Sequence, residues 1–168
     1  MEFAAGGAPF FPTARMTDRF TMGYLTAIYL DYRLSVEALS LTLGGYAGYT
    51  GLLPASDGTA SYFRSLIPLG VGLRLGTPDG WPLGLYLRVL AGTALNISPQ
   101  GRVDQRLTRV LPQVKAGAGV NVPFSRRTGL AVELMYELLF YLYMNGGSPA
   151  AEPVMGFNVP SVYFYTRW

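Results

Sequence analysis

The segment LAVELMYELLFYLY, residues 130–143, constrains this chain more than any other stretch. Side chains of a strand alternate between two faces. Here Leu130, Val132, Leu134, Tyr136, Leu138, Phe140 and Leu142 fall on an apolar face, and Ala131, Glu133, Met135, Glu137, Leu139, Tyr141 and Tyr143 fall on a mixed one. Taken alone the segment also reads as a helix, because Glu133 and Glu137 are four apart. Its neighbours decide the matter. In PLGLYLRVLAGTAL, Leu83, Leu85, Leu87, Val89 and Ala91 alternate with Gly84, Tyr86, Arg88, Leu90 and Gly92. In QVKAGAGVNV, Val114, Ala116, Ala118, Val120 and Val122 alternate with Gln113, Lys115, Gly117, Gly119 and Asn121. Period two recurring along the chain is the signature of strands.

Composition says which way the apolar faces point. Half of the residues are hydrophobic and 14% are charged, against roughly a quarter charged in ordinary soluble domains. So dry a surface suits lipid. A spanning helix needs about 20 mostly apolar residues in a row. The longest charge-free run, Ala38 to Ser56, is interrupted by Gly44, Gly45, Gly48, Gly51 and Pro54. Strands are therefore the expected way across. A soluble lipocalin-like or avidin-like barrel would need its apolar faces inside, whereas here the charges sit on the glycine-bearing face.

Eight alternating segments emerge, at 2–12, 20–31, 36–49, 62–76, 82–95, 109–122, 129–143 and 157–168. Between them, after a first connection TARMTDR, short connections (YRLS, TPDG, PFSRRTG) alternate with long ones (TGLLPASDGTAS, NISPQGRVDQR, MNGGSPAAEPVM). Outer-membrane barrels have short periplasmic turns, longer external loops and an even strand count. The expected fold is all-β, an eight-stranded antiparallel up-and-down transmembrane β-barrel formed by residues 1–168 as one domain. With the short turns periplasmic, Tyr32, Trp81, Phe124 and Trp168 fall at one membrane boundary, as an aromatic girdle would. Phe20, Tyr49, Tyr62, Phe63, Tyr141 and Tyr143 fall at the other.

The chain closes on SVYFYTRW, with Val162, Phe164 and Trp168 on one face. This ending resembles the terminal strand signal of small eight-stranded bacterial outer-membrane barrels of the OmpA-domain, OmpX and OmpW kind, although Thr166 stands where another aromatic is usual. The resemblance implies an outer-membrane location and recognition by the barrel-assembly machinery. The start, MEFAAGGAPF, has neither the basic region nor the apolar stretch of a signal peptide, so a mature form is expected.

Parity places Asp31, Arg64, Arg74, Arg88, Lys115, Glu133, Glu137 and Arg167 inside. An eight-stranded barrel is just wide enough for side chains to fill it. Unpaired charges there would be costly, so a polar network that fixes register is expected, with a polar path or gate as the functional alternative. Inward Gly44, Gly70, Gly72, Gly117 and Gly119 are expected to leave room or allow curvature. On the outside, Arg102, Arg106 and Arg109 form a modestly basic loop suited to lipid phosphate, lipopolysaccharide included.

Other chemistries are weakly supported. The net charge of +3 is scattered, which argues against nucleic acid. GVGLRLG at 70–76 lacks the spacing and the following helix of a dinucleotide fingerprint. No cofactor and no metal is expected in a chain without cysteine or histidine. Lacking histidine, the chain cannot build a Ser-His-acid triad. Glu133 and Glu137 would lie about 13 Å apart on a strand, wider than glycosidase carboxylate pairs. The expectation is that the protein is not an enzyme. Two roles remain: a narrow porin-like pore for small solutes, similar to the OmpW kind, or a plugged barrel that meets lipid, host or envelope components at its surface.

Overall fold

The computed structural model describes residues 1–13, 20–36, 39–54, 65–78, 81–97, 110–145 and 148–168. Eight strands follow one another: β1 Glu2–Pro12, β2 Phe20–Val36, β3 Leu39–Pro54, β4 Ser65–Gly76, β5 Gly84–Asn96, β6 Val110–Pro123, β7 Thr128–Asn145 and β8 Ser148–Arg167. Each pairs antiparallel with the next, and β1 pairs with β8 from Glu2↔Arg167 to Pro12↔Phe157, which closes the barrel. Closure leaves no open edge around the barrel wall, which a strand surrounded by lipid requires.

The alternation read from sequence is the alternation of burial. On β5, Tyr86, Arg88 and Leu90 are buried while Leu85, Leu87 and Val89 are exposed. Other strands continue the pattern outward, with Leu73 and Leu75 on β4 and Val132 and Leu134 on β7. Charged residues of the strands point inward, among them Asp31, Arg74, Lys115 and Glu137. This partition is the inverse of a soluble barrel's. The interior is also layered along its axis. Towards the end formed by the short turns lie the charges; towards the opposite end Leu25, Leu52, Leu66, Leu111, Leu139 and Phe157 pack into an apolar cap, with Leu111 and Leu139 both at 0% exposure.

Two expectations about the backbone are corrected. Strand β8 begins at Ser148 rather than 157, so most of the expected loop MNGGSPAAEPVM is strand. Among the described residues the β6–β7 ladder runs no further than Gln113↔Leu139 and the β1–β8 ladder no further than Pro12↔Phe157. Strands β7 and β8 continue together to Asn145↔Ser148 as a two-stranded ribbon. Proline discourages central strands because it cannot donate to the ladder. Pro149 and Pro153 are accommodated here because β8 has β7 as its one neighbour among the described residues, and Pro153 pairs beside a register shift at Leu139/Phe140. Likewise YRLS belongs to β2, which runs to Val36.

The inward glycines are the second correction. They leave no vacancy, because large side chains from the neighbouring strand lie over them. Gly44 faces Asp31, Gly70 faces Tyr46, Gly117 faces Met135 and Gly119 faces Tyr86 across the ladder. A Cβ at Gly119 would run into the Tyr86 ring, and one at Gly70 into Tyr46. Glycine is thus the seat that lets an aromatic lie flat on the wall. Gly119→Val should destabilise the folded barrel by about 1–3 kcal/mol through overpacking. Gly45→Ala, where the nearest atom to a new Cβ is 3.7 Å away, should be close to neutral. Urea titration of the two variants in lipid vesicles, followed by tryptophan fluorescence, checks the contrast.

Candidate functional site

Arg88 is the centre of the charged interior. Alternation fixes it on the inner face of β5, where it is 3% exposed. Its guanidinium reaches across to two non-neighbouring strands, with Nη2 3.2 Å from Asp31 Oδ2 on β2 and Nη1 2.6 Å from Glu133 Oε1 on β7. The Tyr86 hydroxyl donates to the same Glu133 oxygen at 2.8 Å. The plane of the guanidinium lies over the Tyr29 ring, 4.4 Å from its centroid. Tyr29 in turn meets the Tyr163 hydroxyl at 3.2 Å. A cation over an aromatic face gains most where water is excluded.

Two further groups extend this centre. Towards the turn end, Arg74 Nη1 lies 2.7 Å from Glu2 Oε1, and Arg167 Nε lies 2.6 Å from Glu2 Oε2. Towards the apolar cap, Lys115 Nζ pairs with Glu137 Oε2 at 3.0 Å and lies over the Tyr46 ring. The Gln113 amide donates to Glu137 and accepts from the Tyr46 hydroxyl, a tie that crosses from β6 to β3. Cations Arg74, Arg88, Lys115 and Arg167 are thereby matched by carboxylates Glu2, Asp31, Glu133 and Glu137. Buried charges persist when they are paired and hydrogen-bonded in this way.

Of the residues singled out from sequence, Asp31, Arg74, Arg88 and Glu133 are drawn into one cluster, and Lys115 and Glu137 form a second above it. Arg64, and the loop arginines Arg102, Arg106 and Arg109, lie outside the described residues. Sequence reasoning missed Glu2, although parity along β1 puts it with the buried Ala4 and Ala8. It also passed over tyrosine as an interior polar group, and Tyr29, Tyr46 and Tyr163 carry much of the cross-lumen contact.

Exposed aromatics stand at both ends of the barrel, and Tyr136 and Phe164 are exposed on the wall between. Tyr32, Trp81, Phe124 and Trp168 are all exposed at the turn end. At the other end Tyr24 is exposed, with its ring 6.0 Å from that of Tyr49, and Phe11 is exposed near the rim. Tyr62 and Phe63, and the side chains of Phe20, Tyr141 and Tyr143, lie outside the described residues.

A cavity of about 530 Å³ opens at the turn end of the interior, lined by Arg33, Arg74, Arg126 and Arg167 together with Trp81, Tyr86, Asn121 and Tyr165. The Arg33 Nε donates to the Ser40 hydroxyl at 2.6 Å beside it.

This closed eight-stranded barrel is shared with solved structures. Neisserial surface protein A superimposes with a TM-score of 0.64 at 12% identity, covering 99% of this chain and 96% of that one. The chain has the fold of the small bacterial outer-membrane β-barrels. The outer membrane enzyme PagL superimposes with a TM-score of 0.56 at 14% identity, covering 100% of both chains. By sequence, no family model and no curated protein matches. The likeness to PagL corrects one expectation. An outer membrane enzyme is built on this same fold, so the reading of the chain as no enzyme falls, and whether it catalyses a reaction is open.

Proposed function

We propose that the protein is a closed barrel of the outer membrane that works through contact with lipid at its wall and rims. Of the two roles left by the sequence, the filled interior favours this one over a narrow pore. The observation that carries it is the reach of Arg88 from β5 to Asp31 on β2 and Glu133 on β7, a tie across the lumen between strands that share no ladder. The apolar cap of Leu66, Leu111, Leu139 and Phe157 stacks above it. Tyr32, Trp81, Phe124 and Trp168 then act as anchors at the periplasmic boundary, where amphipathic rings are stabilised.

Lipopolysaccharide is the partner proposed for the external loop carrying Arg102, Arg106 and Arg109, since guanidinium suits phosphate. The barrel-assembly machinery is the partner proposed for β8, supported by the outward exposure of Val162, Phe164 and Trp168. Planar-bilayer recording tests the closed state. The protein should leave the bilayer at its unmodified leak across the accessible voltage range. Steady unitary steps of conductance would overturn the closed reading and favour the pore.

A further inference from the structure

The arginine-lined cavity at the turn end does not stop at the barrel rim. Gly76, Thr77, Pro78, Trp81, Leu85 and Tyr86 line it and also line a second, larger cavity of about 910 Å³ on the outer wall. That second cavity is an apolar groove. Its floor is Ala118 on β6, set in register between Leu87 on β5 and Leu134 on β7. A small side chain between two large ones makes a trough running from the membrane boundary into the lipid-facing wall.

The inner cavity has the opposite character. Among the described residues four arginines and no carboxylate line it. Glu2 is shared between Arg74 and Arg167, and Asp31, 3.8 Å from Arg74, is already held by Arg88. Among the described residues positive charge therefore exceeds negative charge at this rim. The Thr77 hydroxyl, common to both cavities, is buried and has no hydrogen-bond partner among the described residues. A basic pocket at headgroup level that opens onto an apolar trough is complementary to one kind of molecule, an anionic amphiphile.

We propose that the two cavities form one site for an anionic glycerophospholipid of the periplasmic leaflet. Its phosphate sits among Arg33, Arg74, Arg126 and Arg167, and one acyl chain lies over Ala118. Arginine offers a planar fork that matches phosphate oxygens, and basic pockets at membrane boundaries hold lipid headgroups. The site rests on the reading of the barrel as a closed lipid-contacting protein and gives that contact a place and a charge preference.

The test uses the full chain carrying Trp168→Phe, which leaves Trp81 as the single tryptophan, since the sequence has two. In phosphatidylcholine nanodiscs, phosphatidylglycerol with brominated chains should quench Trp81 at about tenfold lower mole fraction than brominated phosphatidylcholine, the scale of one charge-assisted hydrogen bond. Arg126→Gln, in the exposed β6–β7 turn where folding is not at stake, should remove most of that preference. Arg33→Gln should act in the same direction. Ala118→Phe, which fills the trough and leaves the charges alone, should weaken quenching by both lipids. Excess inorganic phosphate should compete poorly. Equal quenching by the two lipids, or a preference that survives Arg126→Gln and Arg33→Gln together, would overturn the site. Full displacement by inorganic phosphate would also overturn it, assigning the cavity to a free anion. Bilayer recording on the same preparation separates these outcomes from a failure of the closed reading, which shows as conductance steps and leaves the quenching preference unaffected.

Discussion

Arg88→Met should destabilise the folded barrel by about 3–5 kcal/mol, the cost of breaking a buried pair and leaving its partners uncompensated. Methionine fills much of the arginine's volume, so the loss is electrostatic rather than a cavity. Asp31 loses its 3.2 Å partner and Glu133 its 2.6 Å partner, and both carboxylates remain inside. Glu133 keeps only the Tyr86 hydroxyl among its contacts in this cluster. Removing a charge from the opposite side gives the control. Arg88→Met combined with Glu133→Gln should recover part of the loss, because one stranded carboxylate has been neutralised. Urea midpoints in lipid vesicles, with the heat-dependent gel shift of folded barrels as a second readout, measure both variants. A midpoint for Arg88→Met equal to that of the unaltered protein would show that the cross-lumen tie holds nothing.

Val89→Arg, one residue further along the same strand, should cost about 2–4 kcal/mol for a different reason. Val89 is exposed and belongs to the outward apolar face of β5. An arginine there stands near the middle of the hydrocarbon, where the penalty is greatest, and the penalty falls to about 0–1 kcal/mol near the interfaces. Leu83 lies on the same side of the chain close to Trp81, at the turn end. Leu83→Arg should therefore be nearly tolerated. The gradient between the two matters more than either value. In a soluble barrel both positions would face water, and surface substitutions of this kind usually fall within about 0.5 kcal/mol.

These two neighbours show what the sequence made legible. Arg88 and Val89 differ by one position and occupy opposite solvents, and that follows from period two alone. The strand count, the closure and the inward set of charges follow from the same rule. What escaped it depends on partners. The start of β8 was hidden because proline argues against a strand, and only the ladder shows that Pro149 and Pro153 pair with β7 on one side and, among the described residues, with no strand on the other. The glycines at 70 and 119 looked like empty space, since a sequence does not say which neighbour will lean over a missing side chain. Tyr46 and Tyr86 do so, and they are the residues whose hydroxyls reach Gln113 and Glu133. The turn-end cavity was invisible for a similar reason. Arg33, Arg74, Arg126 and Arg167 are far apart in sequence and meet only because β2, β4, the β6–β7 turn and β8 end at one rim. The correction about catalysis is of another kind, since it rests on the likeness to an outer membrane enzyme rather than on any residue.

The inverted partition of the barrel, apolar wall outward and charges inward, underlies everything else and can be tested without disturbing the interior. The sequence contains no cysteine, so a single cysteine carries a nitroxide to one place only. Labels at positions 73, 89 and 134, in place of the exposed Leu73, Val89 and Leu134 on β4, β5 and β7, sample three strands around the wall. In lipid vesicles, collision with dissolved oxygen should exceed collision with a water-soluble nickel chelate at all three. Relaxation dominated by the nickel chelate at these positions would mean that the apolar face meets water, and would contradict a lipid-facing wall.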